Sequence, residues 1–430
     1  MQTTTPVDLL RLPEKDALVK EFVGKSLPQL RTPAFVVDRA VFARNCAKMH
    51  ARAQEWGARF RAHVKTHKTV EGTRLQLVSS ANTTNAIVVS TMMEAWKVYS
   101  EGLVADGTVK DILYGLPVAI NKIADLASLS DALEKHGAVL RVFIDNVKQV
   151  EALEAFEKGK SSSRKWSAFV KVDGGQKRAG LYPGSPAFNE LIKALAASPA
   201  VSVYGFYCHA GNSYASTSLS QATSFLSSEV EAVNEAAKLA TPTLQPSSID
   251  GSTPATRYVL SVGSTPTAHS ASAEARAHLT SLLHGDLELH AGNYPMLDLQ
   301  QLHTSLISKD RIAQRVLATV LSYYPGRGDD GTDEALCDAG GIAMSRDTGP
   351  SGGYGDVIGK PWRLGKISQE HGILSRTDSS TEALEIGSTL EIICQHACLT
   401  AAAYPWYYVV DSDIPGEEKV VDVWVPWKGW

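Results

Sequence analysis

The chain has 430 residues, 44% hydrophobic and 20% charged, with 42 Lys and Arg against 46 Asp and Glu for a net charge of −4. That length exceeds the roughly 250–300 residues at which one hydrophobic core stops growing, so two domains are expected, and the composition excludes long disordered spans. A weakly acidic balance also excludes a general nucleic-acid or membrane-surface binder, because such proteins need a basic field to offset phosphate.

The first residues, MQTTTPVDLLRLPEKD, lack the basic start, apolar centre and small-residue cleavage site of a secretory signal. No segment reaches the roughly 20 apolar residues that cross a bilayer. Cys46, Cys208, Cys337, Cys394 and Cys398 are odd in number and thinly spread, the usage of a reducing compartment rather than a disulfide framework, so a cytoplasmic location is expected.

From residue 58 to 292 short apolar runs alternate with amphipathic ones, the pattern of repeated βα units. Strands are predicted over Ala58–Lys65, Ala86–Ser90, Asp111–Tyr114, Val139–Ile144, Ser167–Asp173, Val203–Cys208, Tyr258–Gly263 and Leu287–His290. Between them, Val150, Leu153 and Phe156, and again Phe225, Val230, Val233 and Ala237, recur at helical spacing. Eight strands with crossover helices predict a closed (β/α)8 barrel over residues 40–300, an α/β fold. The Pro-, Ser- and Thr-rich stretch Thr241–Thr256 reads as a surface insertion. Beyond residue 311 the runs Val316–Tyr324, Glu334–Met344, Trp362–Ser368, Leu390–Cys394, Trp406–Val410 and Val420–Val425 have no helices between them, so residues 311–430 are expected to form an all-β domain.

A barrel of this kind builds its active site from the loops after its strands, and here those loops are rich in chemistry. They carry Lys65 with His67, Asp145 with Asn146, DGGQKR at 173–178, YCHAGNSY at 207–214, GSTPT at 263–267 and AGNY at 291–294. Lys65 ends the first strand, where a lysine is costly to desolvate unless it is paired or covalently used. A surface lysine at a strand end fits the same position. Gly-, Ser- and Asn-containing turns after the last two strands suit a phosphate, although such turns are also common punctuation. A lysine on the first strand facing two such turns is the layout a pyridoxal phosphate site needs. Strand alternation puts Tyr207 and His209 on one face and Cys208 on the other, for a cofactor or for packing in the barrel interior. In QHACLT, His396 and Cys398 stand two apart on an expected strand and could share one metal ion, with zinc favoured by nitrogen and sulfur donors. Two ligands are too few for a structural zinc site, and from the pattern alone a half-buried strand with an incidental thiol is the better reading.

Together TPAFVVD, FRAHVKTHKT, FVKVDGGQKRAGL, YGFYCHAGNSY, LSVGSTPT, HAGNYPMLDLQQ, DAGGIAMSRD, SQEHGIL, QHACLT and DVWVPW resemble the eukaryotic-type D-serine dehydratases, fold-type III pyridoxal phosphate enzymes related to alanine racemase and D-threonine aldolase. The resemblance covers nearly the whole chain. It implies that Lys65 holds pyridoxal phosphate as an imine, that Tyr207, Tyr214, Thr265, Gly292 and Asn293 contact the cofactor, and that His396 and Cys398 bind zinc. It further implies that the strand at Ala34–Asp38 joins the C-terminal sheet and that the protein is a homodimer. The implied activity is that of an ammonia-lyase on D-serine: Lys65 takes the α-proton, zinc assists loss of the β-hydroxyl, and pyruvate and ammonia result. Arg178, His209, Glu370 and His371 are further candidates for the pocket. Related aldolases carry an aspartate where Cys398 stands, so the HAC spelling favours a dehydratase. A D-threo-3-hydroxyaspartate dehydratase remains open, and a non-enzymatic pyridoxal phosphate carrier is disfavoured because such carriers lack the C-terminal β domain.

Overall fold

The computed structural model describes residues 5–160, 164–247, 257–277, 279, 282–378, 382–416 and 418–430. After β1 (Ala34–Asp38) come eight strands: β2 (Arg59–His63), β3 (Ala86–Val89), β4 (Asp111–Pro117), β5 (Val139–Ile144), β6 (Trp166–Lys171), β7 (Val201–Tyr207), β8 (Tyr258–Val262) and β9 (Gly285–Ala291). They close into a barrel in chain order, with β2 parallel to β9 in the register Arg59↔Glu288 to Ala62↔Ala291. Every predicted barrel strand is present. The reason is physical: a parallel strand is covered by helices outside and by the lumen inside, so it must be apolar on both faces, and β6 and β7 are buried at every position. In the lumen Phe143 meets Tyr207 edge-on at 4.6 Å between centroids. Such a pair adds about 0.5–1.5 kcal/mol beyond area burial. On the outside, Val150 and Leu153 of the helix Val147–Glu157 and Val230, Val233 and Ala237 of the helix Leu219–Ala240 turn to the strands and are buried.

The remaining strands are β10 (Gln314–Tyr324), β11 (Glu334–Cys337), β12 (Gly355–Val357), β13 (Trp362–Ile367), β14 (Gly372–Arg376), β15 (Thr389–Cys394), β16 (Tyr407–Val410) and β17 (Asp422–Trp424). With β1 they form a nine-stranded sheet in the order β11-β14-β13-β12-β15-β10-β1-β16-β17. Strand β1 lies antiparallel to β10 and parallel to β16, so the segment before the barrel is built into the C-terminal sheet.

Four features depart from the sequence reading. The expected strand Glu334–Met344 stops at Cys337, and Gly341–Met344 forms a helical turn. Gly340 approaches the backbone of Glu370 so closely that a Cβ would lie 2.5 Å from it, a constraint that apolar patterning does not display. Second, the segment of His396 and Cys398 is not a strand: β15 ends at Cys394, His396 is the N-cap, and Ala397–Ala403 is helical. Third, the start of the expected insertion is anchored, with Leu244 and Ser247 buried and the Ser247 N–H donating to Val203 O at 2.9 Å; residues 248–256 lie outside the described residues. Fourth, the helix Lys15–Phe22 and the short strands β12 and β14 have no counterpart in the sequence reading.

Candidate active site

The C-terminal mouth of the barrel encloses a cavity lined by residues from all eight strands or the loops that follow them, among them His63, Lys65, Lys171, Arg178, Tyr207, His209, Tyr214, Thr265, His290 and Gly292. Lys65 follows β2 at the start of the turn that Thr69 closes by accepting from the Gly72 N–H at 3.2 Å, the N-cap of the helix Val70–Leu77. Its neighbours have other tasks. His67 is buried and bonds Gln76 Oε1 at 2.8 Å, and Lys68 pairs with the buried Glu94 at 2.9 Å. Asn146 caps its helix, and Asp145 accepts from the Gly180 N–H at 3.1 Å.

Three histidines face the cavity, and burial pushes each well below its ordinary value, so all are neutral at pH 7. Their tautomers follow from their partners. His209 Nδ1 donates to Gly263 O at 2.8 Å. His63 Nδ1 accepts the Lys65 N–H at 3.3 Å. Ser261 Oγ gives its proton to Glu288 at 2.8 Å and so accepts from His290 Nδ1 at 3.1 Å, which leaves the buried His290 Nε2 a bare acceptor without a partner among the described residues. The His290 ring stacks on Tyr207 with centroids 4.0 Å apart. Lys171 lies 4.4 Å from the Tyr207 ring centre, and burial lowers its amine to about 8.

Tyr214 hydrogen-bonds Thr265, and Thr265 Oγ1 accepts the Asn293 N–H at 3.1 Å. The Asn293 side chain is turned to Asp298, with Nδ2 to Oδ2 at 2.6 Å, and does not line the cavity. Gly263 has φ +141° and would place a Cβ 2.1 Å from His290 O; at Gly292 a Cβ would lie 3.2 Å from Lys65 Cε. Gly292 keeps open the space beside the lysine, and Gly263 lets the loop after β8 pass close to the backbone of β9. Glu370 and His371 are exposed between β13 and β14 and do not line this cavity.

The metal-type pair arrives from the C-terminal sheet. Cys398 Sγ lies 3.0 Å from Thr66 Oγ1, the residue after Lys65, and it hydrogen-bonds His396. Burial opposes charge on both groups, yet their mutual interaction wins: His396 rises to about 9, helped by Asp298 and Asp347, and Cys398 falls below its ordinary value, helped by Lys65 and Thr66. Asp347 Oδ2 holds His396 Nδ1 at 2.9 Å, leaving Nε2 for a metal. Among the described residues no group of three or more His, Cys, Asp or Glu side chains is placed to hold a metal ion.

The residues fit pyridoxal phosphate: the cavity holds a lysine with no ion-pair partner and an acceptor on His290 with no hydrogen-bond partner, both among the described residues, and Gly292 keeps the space beside the lysine clear. A nitrogen and sulfur pair backed by a carboxylate also fits zinc. Sequence reasoning missed His63, Lys171, His290, Asp298 and Asp347. For the two histidines a signal existed, since Arg61, His63 and Lys65, and Glu288, His290 and Gly292, alternate along the lumen face of otherwise apolar strands.

The alanine racemase N-terminal domain family matches residues 37–262, and the serine dehydratase domain family matches residues 313–410. The D-serine dehydratase of Schizosaccharomyces pombe is 46% identical over 97% of this chain and 96% of its own length. That of Saccharomyces cerevisiae is 38% identical over 96% of this chain and 99% of its own. Among solved structures, the D-threo-3-hydroxyaspartate dehydratase from Delftia sp. HT23 is 30% identical with a TM-score of 0.77, covering 94% of this chain and 100% of that one; a variant of that enzyme has been solved in a metal-free form. With two relatives this similar along their whole length, and with barrel and sheet both matched, this chain belongs to the D-serine dehydratases, lyases built on the alanine racemase-like fold.

Proposed function

We propose that the protein is a pyridoxal phosphate- and zinc-dependent D-serine dehydratase that yields pyruvate and ammonia. The observation that carries the reading is the contact between Thr66 and Cys398, which sets the nitrogen and sulfur pair beside Lys65 at the barrel mouth. When bound, pyridoxal phosphate supplies an electron sink for the α-carbon and zinc a Lewis acid for the β-hydroxyl, which alone is a poor leaving group.

Lys65 holds the cofactor and, once its amine is free, takes the α-proton, being the one cavity amine on the strand end nearest Cys398. Tyr207, Tyr214, Thr265 and Gly292 orient the cofactor from the cavity wall, and Asn293, whose side chain is turned away from it, acts through its backbone N–H on Thr265, which in turn bonds Tyr214. His396 and Cys398 hold zinc, and Asp347 fixes the His396 ring; the remaining positions fall to water or substrate. Neutral His63, His209 and His290 line the pocket without adding positive charge against Lys65. Loss of water from D-serine gives aminoacrylate, which hydrolyses to the two products.

The 46% and 38% relatives named for D-serine favour that substrate over D-threo-3-hydroxyaspartate. Domains divide near residues 40–300 and 311–430, with Ala34–Asp38 joining the second. A homodimer in the cytoplasm completes the reading: the five cysteines are free, and no helix among the described residues is long and apolar enough to cross a membrane.

The test is pyruvate release from D-serine, L-serine, D-threonine and D-threo-3-hydroxyaspartate, before and after chelation and zinc return. Pyruvate from D-serine that chelation abolishes and zinc restores is expected. Glycine and acetaldehyde from D-threonine, with no pyruvate from D-serine, would refute it.

A further inference from the structure

We propose that Asp298 is a positioning residue that holds the His396–Cys398 pair in register with the cofactor loop, so that metal and cofactor binding strengthen each other. The inference rests on the reading of the two sites given above. Asp298 is fully buried at the point where the chain leaves the barrel. Its Oδ2 accepts from Asn293 Nδ2 at 2.6 Å and from the Ala397 N–H at 2.8 Å. Ala397 is the residue between His396 and Cys398, so one oxygen joins the loop after β9 to the backbone between the two metal-type side chains. Its Oδ1 accepts the Gln301 N–H at 2.9 Å and caps the helix Leu299–Leu302, which fixes the carboxylate itself.

Bonds on either side run along the same seam. The Asn293 N–H reaches Thr265 Oγ1 at 3.1 Å, and the Gln300 N–H reaches Gln395 O at 3.1 Å. The other route between the sites, Thr66 to Cys398, touches only the sulfur and leaves the backbone at Ala397 unfixed. Hydrogen bonds to a buried carboxylate are roughly twice as strong as neutral ones, and losing the carboxylate strands both donors without water. A loop ordered by cofactor therefore orders the metal pair through Asp298, and by linkage the metal must order the loop to the same degree.

The experiment starts from holoenzyme carrying both groups. Zinc retention is measured by elemental analysis against graded chelator, and the cofactor dissociation constant by absorbance of the bound imine. Asp298→Ala is expected to weaken zinc retention by about 10- to 100-fold, the usual effect of losing a residue behind a metal ligand, and to weaken cofactor binding in the same protein. Asp298→Asn keeps one carbonyl acceptor and falls between. Asn293→Ala cuts only the loop arm and serves where Asp298→Ala fails to fold; its zinc retention is expected to fall in the same direction by a smaller factor. Wild-type zinc retention in both Asp298→Ala and Asn293→Ala overturns the proposal. Wild-type protein that binds cofactor but no zinc overturns the metal reading itself, and this inference with it.

Discussion

Replacing Arg61 by leucine tests the ionic layer beneath the cavity. Arg61 and Arg141 are both 0% exposed, with Asp111 at 6% and Glu288 at 2%. Arg61 holds Asp111 through Nη1 at 2.7 Å and Nη2 at 3.1 Å, and Glu288 through Nε at 2.8 Å and Nη2 at 3.1 Å. Arg141 Nε takes the remaining side of Asp111 at 2.8 Å. Two positive and two negative charges thus cancel in the lumen. Arg61→Leu takes from Glu288 the cation that holds it and leaves it the Ser261 hydroxyl, and an uncompensated buried charge costs about 3–5 kcal/mol. At roughly 2–4 °C per kcal/mol for a domain of this size, Tm falls by roughly 6–20 °C.

The double variant Arg61→Leu with Glu288→Leu is the sharper arm. It leaves Asp111 against Arg141, one charge of each sign, so it is expected to be more stable than Arg61→Leu alone, although it has lost more native contacts. As a control, Arg44 and Asp413 form an exposed pair 2.7 Å apart, and Arg44→Ala changes stability by no more than about 1 kcal/mol. The assay is thermal unfolding followed by circular dichroism at pH 7. A single variant within about 1 kcal/mol of wild type, or a double variant as unstable as the sum of its singles, would refute the charge argument.

Lys65→Ala is expected to lose the long-wavelength absorbance of a bound imine and at least about 10²-fold in pyruvate release, with the circular dichroism spectrum unchanged. Cys398→Ala should lose zinc on dialysis and D-serine turnover together, while the imine absorbance persists at saturating cofactor. Burial lifts Glu229 from 4.5 to about 7, although its carboxylate accepts the Ala210 N–H at 2.6 Å and the Gly263 N–H at 3.2 Å. The folded state therefore binds more protons than the unfolded state between pH 4.5 and 7, and this group's stabilising contribution, full below pH 4.5, is lost as pH rises toward 7; Glu229→Gln should remove that slope from the denaturant midpoint. Gly263→Ala sets a Cβ against His290 O at a backbone angle that L residues avoid, so Tm and cofactor affinity should fall together in a thermal scan and an absorbance titration.

The barrel could be read from sequence because its physics repeats eight times. A run such as WSAFVK has only one arrangement that buries both of its faces, and the amphipathic segments on either side say what covers it. Lys65 was legible for the opposite reason, as a charge where that pattern forbids one. The sheet domain gave weaker signals. Strand β12 is the three residues Gly355–Val357, held on one side by β15, far away in sequence, and β11 stops at Cys337 ahead of Gly340, which lets the Glu370 backbone come close.

The metal pair shows where a correct pairing was supported by a wrong geometry. Two residues apart on a strand would have shared a face, and that argument brought His396 and Cys398 together. Yet ACLTAAA contains four alanines, the strongest helix former, directly after the strand TLEIIC, and the strand gives way to a helix at His396. The side chains still meet, because an N-cap and a first-turn residue also lie side by side. The helical solution has a consequence that a strand lacks. The Ala397 N–H belongs to the first turn of a helix and has no partner within it, so it is available to a carboxylate from outside. Asp298 supplies one from the barrel. A strand at the same place would have spent that N–H on its neighbour in the sheet, and the backbone beside Cys398 would have had no bond to the carboxylate from the barrel. The turn from strand to helix therefore lets residues from two domains converge on one catalytic site.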